Sequence, residues 1–271
     1  MNRTFELNGQ ASLRVSIEGG LVEVSTIDGT AAHVDVMRQN GEEPGDDLFV
    51  GVRDTAEGPE VAVELSRGSF LSQFTGGRDL RVRVQVPHGT RPRLTTASAD
   101  ISARGSYGRG KVKSASGDTS VERVDGDLEI QTASGDLNVQ SVAGNLNARS
   151  ASGNIRVGRC TGDVEARTAS GDIELRELQG SRVETQTASG DVNIAEVSRG
   201  SVSMRSASGD FEIGVKRGSQ VWMDTRSLSG ETSSELEVSD HLEPANGDLI
   251  EIRATTVSGD IRIRRSGAVP A

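Results

Sequence analysis

The sequence predicts an all-β protein: a parallel β-solenoid (β-helix) of ~18-residue two-strand coils with an irregular β-rich N-terminal cap. Three observations lead there. Ser-Gly pairs recur at Gly117, Gly135, Gly153, Gly171, Gly190, Gly209, Gly230 and Gly259, with Ala99 in register before them. The steps from Ala99 to Gly171 are each 18 residues, and those that follow are 19, 19, 21 and 29. Between the glycines the apolar residues alternate, as in Leu128-Glu129-Ile130 and Leu137-Asn138-Val139, which is the period of a strand and not of a helix. Finally, aromatic residues make up 3% of the chain, too few for a large globular core but enough for a thin stack of coils.

A weaker motif lies midway between the Ser-Gly pairs, at Asp125-Gly126-Asp127, Ala143-Gly144-Asn145 and Thr161-Gly162-Asp163. Each repeat is therefore two turns and two short strands. No such strand pair buries its inner face alone, and stacking successive coils does so. The inward columns are expected to be Leu146, Val164, Val183, Val202 and Val221 in one wall, and Ile155, Ile173, Val192, Phe211 and Ile261 in the other.

Residues 1–90 lack the period and read as a β-rich N-terminal capping region. Ser12–Ile17 and Leu21–Val24 flank Glu18-Gly19-Gly20, a hairpin signal. Further strands are expected at 32–36, 48–52, 61–65 and 80–86, with loops at 39–47 and 70–77, the latter holding Phe70 and Phe74. Residues 91–271 read as the solenoid, with an insertion near 231–248 where Ser239–Gly247 is loop-like in composition.

The net charge of −10 argues against a nucleic-acid footprint, which needs clustered Lys and Arg. No stretch reaches the roughly 18 apolar residues of a membrane span, and Met1–Glu6 begins no signal peptide. The expectation is a cytoplasmic protein; a surface location would need an export route that the sequence does not display. The single cysteine, Cys160, sits in the column of Val124, Val142 and Leu178 and is expected to be a buried apolar residue.

Val86-Pro87-His88-Gly89-Thr90 followed by repeated Ala-Ser-Gly-Asp units resembles a bacterial family of β-strand-repeat proteins catalogued as candidate adhesins of otherwise undefined function. The resemblance implies a β-solenoid with a surface-interaction role, and it brings no catalytic residues with it.

The aligned polar columns admit sharper readings. Asp118, Asp136, Asn154, Asp172, Asp191, Asp210, Glu231 and Asp260 stack about 4.8 Å apart, which invites calcium. Calcium-binding β-rolls need a different glycine order, so the expectation is that Gly supplies turn geometry and Asp or Asn bonds neighbouring backbone. The Ser/Thr columns lack a base in register, because His33, His88 and His241 lie outside the regular coils, and a serine nucleophile needs one. Ice binding needs a flat uncharged face, whereas Glu129, Arg149, Glu165, Arg167, Glu184 and Arg205 point outward.

The function expected is a non-enzymatic scaffold or interaction module, with a protein or glycan partner and no cofactor or metal. The alternatives are a carbohydrate-active β-helix enzyme, which needs paired carboxylates beside a groove, and a polymer-forming rod. The candidate partner contacts are Trp222, His241 and Leu242. Trp222 is the only tryptophan and is expected to point outward in the column of Glu129, Asn147, Glu165, Glu184 and Ser203. Glu235–Asn246, carrying Leu236, Val238 and Leu242, is expected to cover it as a C-terminal cap; the competing reading leaves Trp222 open to a partner.

Overall fold

The computed structural model describes residues 1–65, 79–236 and 249–267, in two compact units, Met1–Val139 and Gln140–Ala271. Among the described residues every regular element is a strand. The loop holding Phe70 and Phe74 and the whole of Ser239–Gly247 lie outside them.

In the first unit one sheet is ordered β1 (Asn2–Glu6), β4 (Ala31–Arg38), β7 (Asp79–Pro87), β3 (Gly19–Ile27), β9 (Asp100–Tyr107) and β11 (Thr119–Val124). The other is ordered β5 (Leu48–Thr55), β6 (Gly58–Leu65), β2 (Ser12–Ile17), β8 (Arg91–Thr96), β10 (Gly110–Lys113) and β12 (Leu128–Gln131). The pairs within the stack are parallel, for example Val15 with Leu94 and Val112 with Ile130. The antiparallel strands are β1, β4 and β5, which lie at one edge of each sheet. Such a cover deals with the exposed edge that a stack of strands would otherwise leave.

The expected hairpin over Ser12–Val24 is corrected here. Strands β2 and β3 lie in different sheets, β2 between β6 and β8 and β3 between β7 and β9, all parallel. Glu18 is a one-residue corner between two walls. The inward positions Leu13, Val15, Ile17, Val22 and Val24 are all buried, and alternation of that kind suits a coil corner as well as a hairpin. Coil strands thus begin at Ser12, well before the 18-residue period starts.

In the second unit one sheet runs β15 (Ile155–Cys160), β17 (Ile173–Leu178), β19 (Val192–Val197), β21 (Phe211–Val215), β25 (Ile261–Arg265) and β23 (Thr232–Ser234). The other runs β14 (Leu146–Arg149), β16 (Val164–Arg167), β18 (Arg182–Gln186), β20 (Gly200–Arg205), β24 (Leu249–Ser258) and β22 (Gln220–Ser229). One core column is Leu146, Val164, Val183, Val202 and Ile252, each stacked on the next. The opposite wall stacks Ile155, Ile173, Val192, Phe211 and Ile261.

The last coil in sequence is not the last in space. Strands β24 and β25 intercalate between the β20–β21 coil and the β22–β23 coil. The reason is burial. The inward residues of β24 and β25 are Ile250, Ile252, Ala254, Ile261 and Ile263, all fully buried. Those of β22 and β23 are more polar: Val221, Met223, Thr225 and Ser227 are partly exposed, and Thr232 and Ser234 are exposed. The more apolar coil takes the covered place, since apolar area removed from water is the main stabilising term.

Close stacking is added to turn geometry at the repeated glycines: Gly190, Gly209 and Gly259 have φ of +152, +147 and +144, as a turn role expects, but not all of the repeated glycines do. Gly117 and Gly135 have no positive φ. A Cβ at Gly117 would lie 2.0 Å from the Ala99 carbonyl oxygen, and one at Gly135 would lie 2.2 Å from that of Gly117. Ala99 is tolerated where the coil beneath turns its corner on Glu18 alone, which accepts from the N–H groups of Ala97 and Ser98.

Candidate functional site

The ten residues of β22 form the edge of the second unit's sheet that begins at β14. Their register with β24 runs from Gln220 opposite Leu249 to Ser229 opposite Ser258. Among the described residues β22 pairs on that side alone. A strand alternates its side chains, so Trp222, Asp224, Arg226 and Leu228 share the outer face. Trp222 is 48% exposed and Leu228 83%. On β24, Leu249 and Val257 are exposed as well, making this the apolar part of an otherwise charged outer wall.

Arg253 lies over the Trp222 ring, its guanidinium carbon 5.3 Å from the centroid. It also pairs with Glu251 on its own strand, and Glu251 is the register partner of Trp222. The indole is thus held by a cation–π contact from the neighbouring coil while much of its surface faces water. Asp224 and Arg226 form a local pair at 3.2 Å. The expected column of Trp222 is corrected. Ser203 stacks on Arg253 and Asp224, whereas Trp222 continues Ser201 and Glu251. The intercalated coil shifts the register by two residues. Leu236 is buried just past β23. His241 and Leu242 lie outside the described residues.

Elsewhere the outer walls are laced with ion pairs between coils. Arg149 meets Glu165 at 3.0 Å, Lys111 meets Glu129 at 2.6 Å and Arg159 meets Glu177 at 2.6 Å. The hydroxyl column caps the corners. Ser114, Thr132 and Ser150 accept from the N–H groups of Gly117, Gly135 and Gly153 at 3.0, 3.1 and 2.7 Å. Cys160 is buried, with its sulfur 3.5 Å from the Gly144 and Gly162 carbonyl oxygens. Burial pushes its thiol pKa up to about 11, the reverse of what a reactive thiol requires.

The sequence reading missed a groove of about 400 Å³ on the outer face of the first unit, lined in part by Glu23, His33, Asp35, Arg83, Gln85 and Arg104. Arg83 binds Glu23 at 2.7 Å, and His33 Nδ1 lies 3.0 Å from the Thr4 hydroxyl. The alternating polar residues of β3, β4 and β7 were visible in the sequence. Their convergence depends on β4 running antiparallel to β7, which periodicity does not give.

Taken together, the stacked parallel coils, with antiparallel strands closing one edge of each sheet, define a β-solenoid. The Toastrack DUF4097 family model matches residues 11–160 and again residues 140–269, and the chain belongs to that family. No curated protein matches it. Similar solved structures include a "putative adhesin" from Parabacteroides distasonis, 8% identical over 97% of this chain and 96% of that one, with a TM-score of 0.56. Others bearing the same description come from Parabacteroides merdae (8% identity, 96% and 95% coverage, TM-score 0.49) and Bacteroides fragilis (12%, 97% and 96%, TM-score 0.44). At such identities the Parabacteroides distasonis likeness speaks for the fold alone.

Proposed function

We propose that the protein is a non-enzymatic interaction module, in which a stiff β-solenoid presents the outer face of β22 to a partner. The observation that carries this reading is Trp222: the sole tryptophan, 48% exposed, on an edge strand, with Arg253 over its ring. Tryptophan and arginine dominate the residues that carry binding energy at interfaces, and with exposed Leu228, Leu249 and Val257 around it Trp222 belongs to an apolar patch, which on a protein surface marks an interaction site. The adhesin-like description attached to the similar folds is compatible with such a role.

Iodide quenching of Trp222 in dilute protein tests the reading. Red-shifted, readily quenched emission is expected, and Trp222→Ala should cost about 1 kcal/mol or less, the scale of an exposed cation–π contact. Blue-shifted emission protected from iodide, with a clear loss of stability on substitution, would mean that the indole is part of an internal cap. Turnover of a polysaccharide by the purified chain would overturn the non-enzymatic part.

A further inference from the structure

The outward residues of β22 read as their own complement. Turned end for end about Thr225, the strand places Trp222 opposite Leu228 and Asp224 opposite Arg226. Opposite charges and aromatic–aliphatic pairs facing one another across antiparallel strands are favourable. In a two-fold symmetric contact residue i of one copy meets j of the other and j meets i, so each pairing is made twice. Centring the axis on Asp224 or on Arg226 instead sets like charges face to face, which is unfavourable. Centring it on Met223 or Ser227 pairs neither charge with its opposite, so Thr225 is the centre that the charge pattern favours.

The edge is suited to such pairing. It is ten residues long and contains no proline or lysine, two of the devices that blunt natural edges. Its inward residues Val221, Met223, Thr225 and Ser227 are partly exposed, whereas Ile250, Ile252, Ala254 and Thr256 in the coil beneath are buried. Among the described residues the core columns stop one layer short of full cover. The first unit, by contrast, carries the antiparallel strands β1, β4 and β5 at the edges of its sheets.

We propose that two copies of this chain pair through β22, antiparallel about a two-fold axis at Thr225, continuing the sheet and covering the open core columns. This rests on the reading of the Trp222 face as a partner surface and names that partner as a second copy.

Sedimentation equilibrium of the full chain over a micromolar concentration series is the test, with Trp222 emission read in parallel. The expected result is a dimer whose Trp222 emission moves to the blue and loses iodide quenching as the dimer forms. Asp224→Arg alone sets arginine against arginine, and Arg226→Asp alone sets aspartate against aspartate; each should weaken dimerisation about tenfold or more. Mixing the two single variants should restore a dimer made only of unlike chains. The double variant, D224R with R226D, should dimerise like the wild type. Melting curves of all four proteins check that these exposed substitutions leave the fold intact. A wild type that stays monomeric, single variants that dimerise unchanged, or a mixture that stays monomeric would each overturn the proposal. A monomer with quenchable Trp222 leaves the partner surface standing, whereas a monomer with protected Trp222 overturns both readings.

Discussion

The backbone N–H of Asp136 donates to the Asp118 carboxylate at 2.9 Å, one coil away. Asp118 makes the same bond to Asp100 at 3.0 Å. In the second unit the pattern recurs as Asp172 on Asn154, Asp191 on Asp172, Asp210 on Asp191 and Asp260 on Asp210, at 2.8–3.0 Å. Glu231 then bonds Asp260 at 2.9 Å, following the order of the coils in space and not in sequence. The acidic column is a ladder in which each side chain satisfies a corner N–H of the next coil. Neutral Asn154 serves as well as an aspartate, so the acceptor oxygen matters and the charge does not.

Asp191→Ala should therefore cost about 1 kcal/mol, the net worth of one hydrogen bond, and Asp191→Asn clearly less. Chelator and millimolar calcium should leave the melting temperature unchanged. A large calcium-dependent rise would reveal a native-state cation site and overturn the ladder as the column's purpose.

The glycines make a second, separable prediction. Gly135→Ala drives a methyl against the Gly117 carbonyl, and neither backbone can yield without separating the coils. A loss of about 3 kcal/mol or more is expected, beyond ordinary overpacking. Gly9 has φ +92 with open space around its missing side chain, so Gly9→Ala should cost only the left-handed penalty of about 1–2 kcal/mol. Urea midpoints of the two variants check this. Equal losses would return the repeated glycine to a turn role.

Much of this was legible in the sequence because a stack repeats its constraints. Gly135 and Asp136 recur wherever one coil lies on another, and the wall from Ile155 to Ile261 could be read directly. Pairing order was less accessible. The expected inward column set Val221 next to Val202, but Ile252 takes that place, with Met223 beyond it and Val221 on Ile250, because the more apolar β24 is buried beneath the more polar β22. The same ambiguity hid the split of β2 and β3 between sheets and moved Trp222 from its expected column. For the candidate site, the sequence marked Trp222 as outward. It could not supply Arg253, which reaches the indole through a neighbour 29 residues away in register, Trp222 to Glu251.

Inward and outward positions should separate cleanly on substitution. Leu146 is fully buried on its column, so Leu146→Asp places an unpaired charge in the core, at a cost exceeding the 2–5 kcal/mol typical of a simple large-to-small change. Glu129 is partly exposed and accepts from Lys111 at 2.6 Å and Gln131 at 3.0 Å. Glu129→Ala should cost about 1 kcal/mol or less, as for other exposed pairs. Thermal melts compare them directly, and similar shifts would reverse the assignment of faces.

The final prediction concerns alkaline pH. Burial pushes the Cys160 thiol up to about 11. It also raises the Tyr107 hydroxyl, which lies 2.9 Å from the Val24 and Arg104 carbonyl oxygens. Both groups are acids kept neutral by the fold. Above the free thiol value of roughly 8.5, the unfolded chain releases a proton that the folded chain retains, so unfolding is favoured as pH rises. Stability should hold from neutrality to about pH 8 and then decline toward pH 11, with the thiol accounting for as much as about 2–3 kcal/mol. Cys160→Ala should flatten the first part of that decline and leave the later part, due to Tyr107. Iodoacetamide should label Cys160 at pH 8 only once denaturant has opened the coils. Rapid labelling of the native protein, or urea midpoints that rise between pH 8 and pH 10, would contradict a buried neutral thiol and with it the inward placement of the Cys160 column.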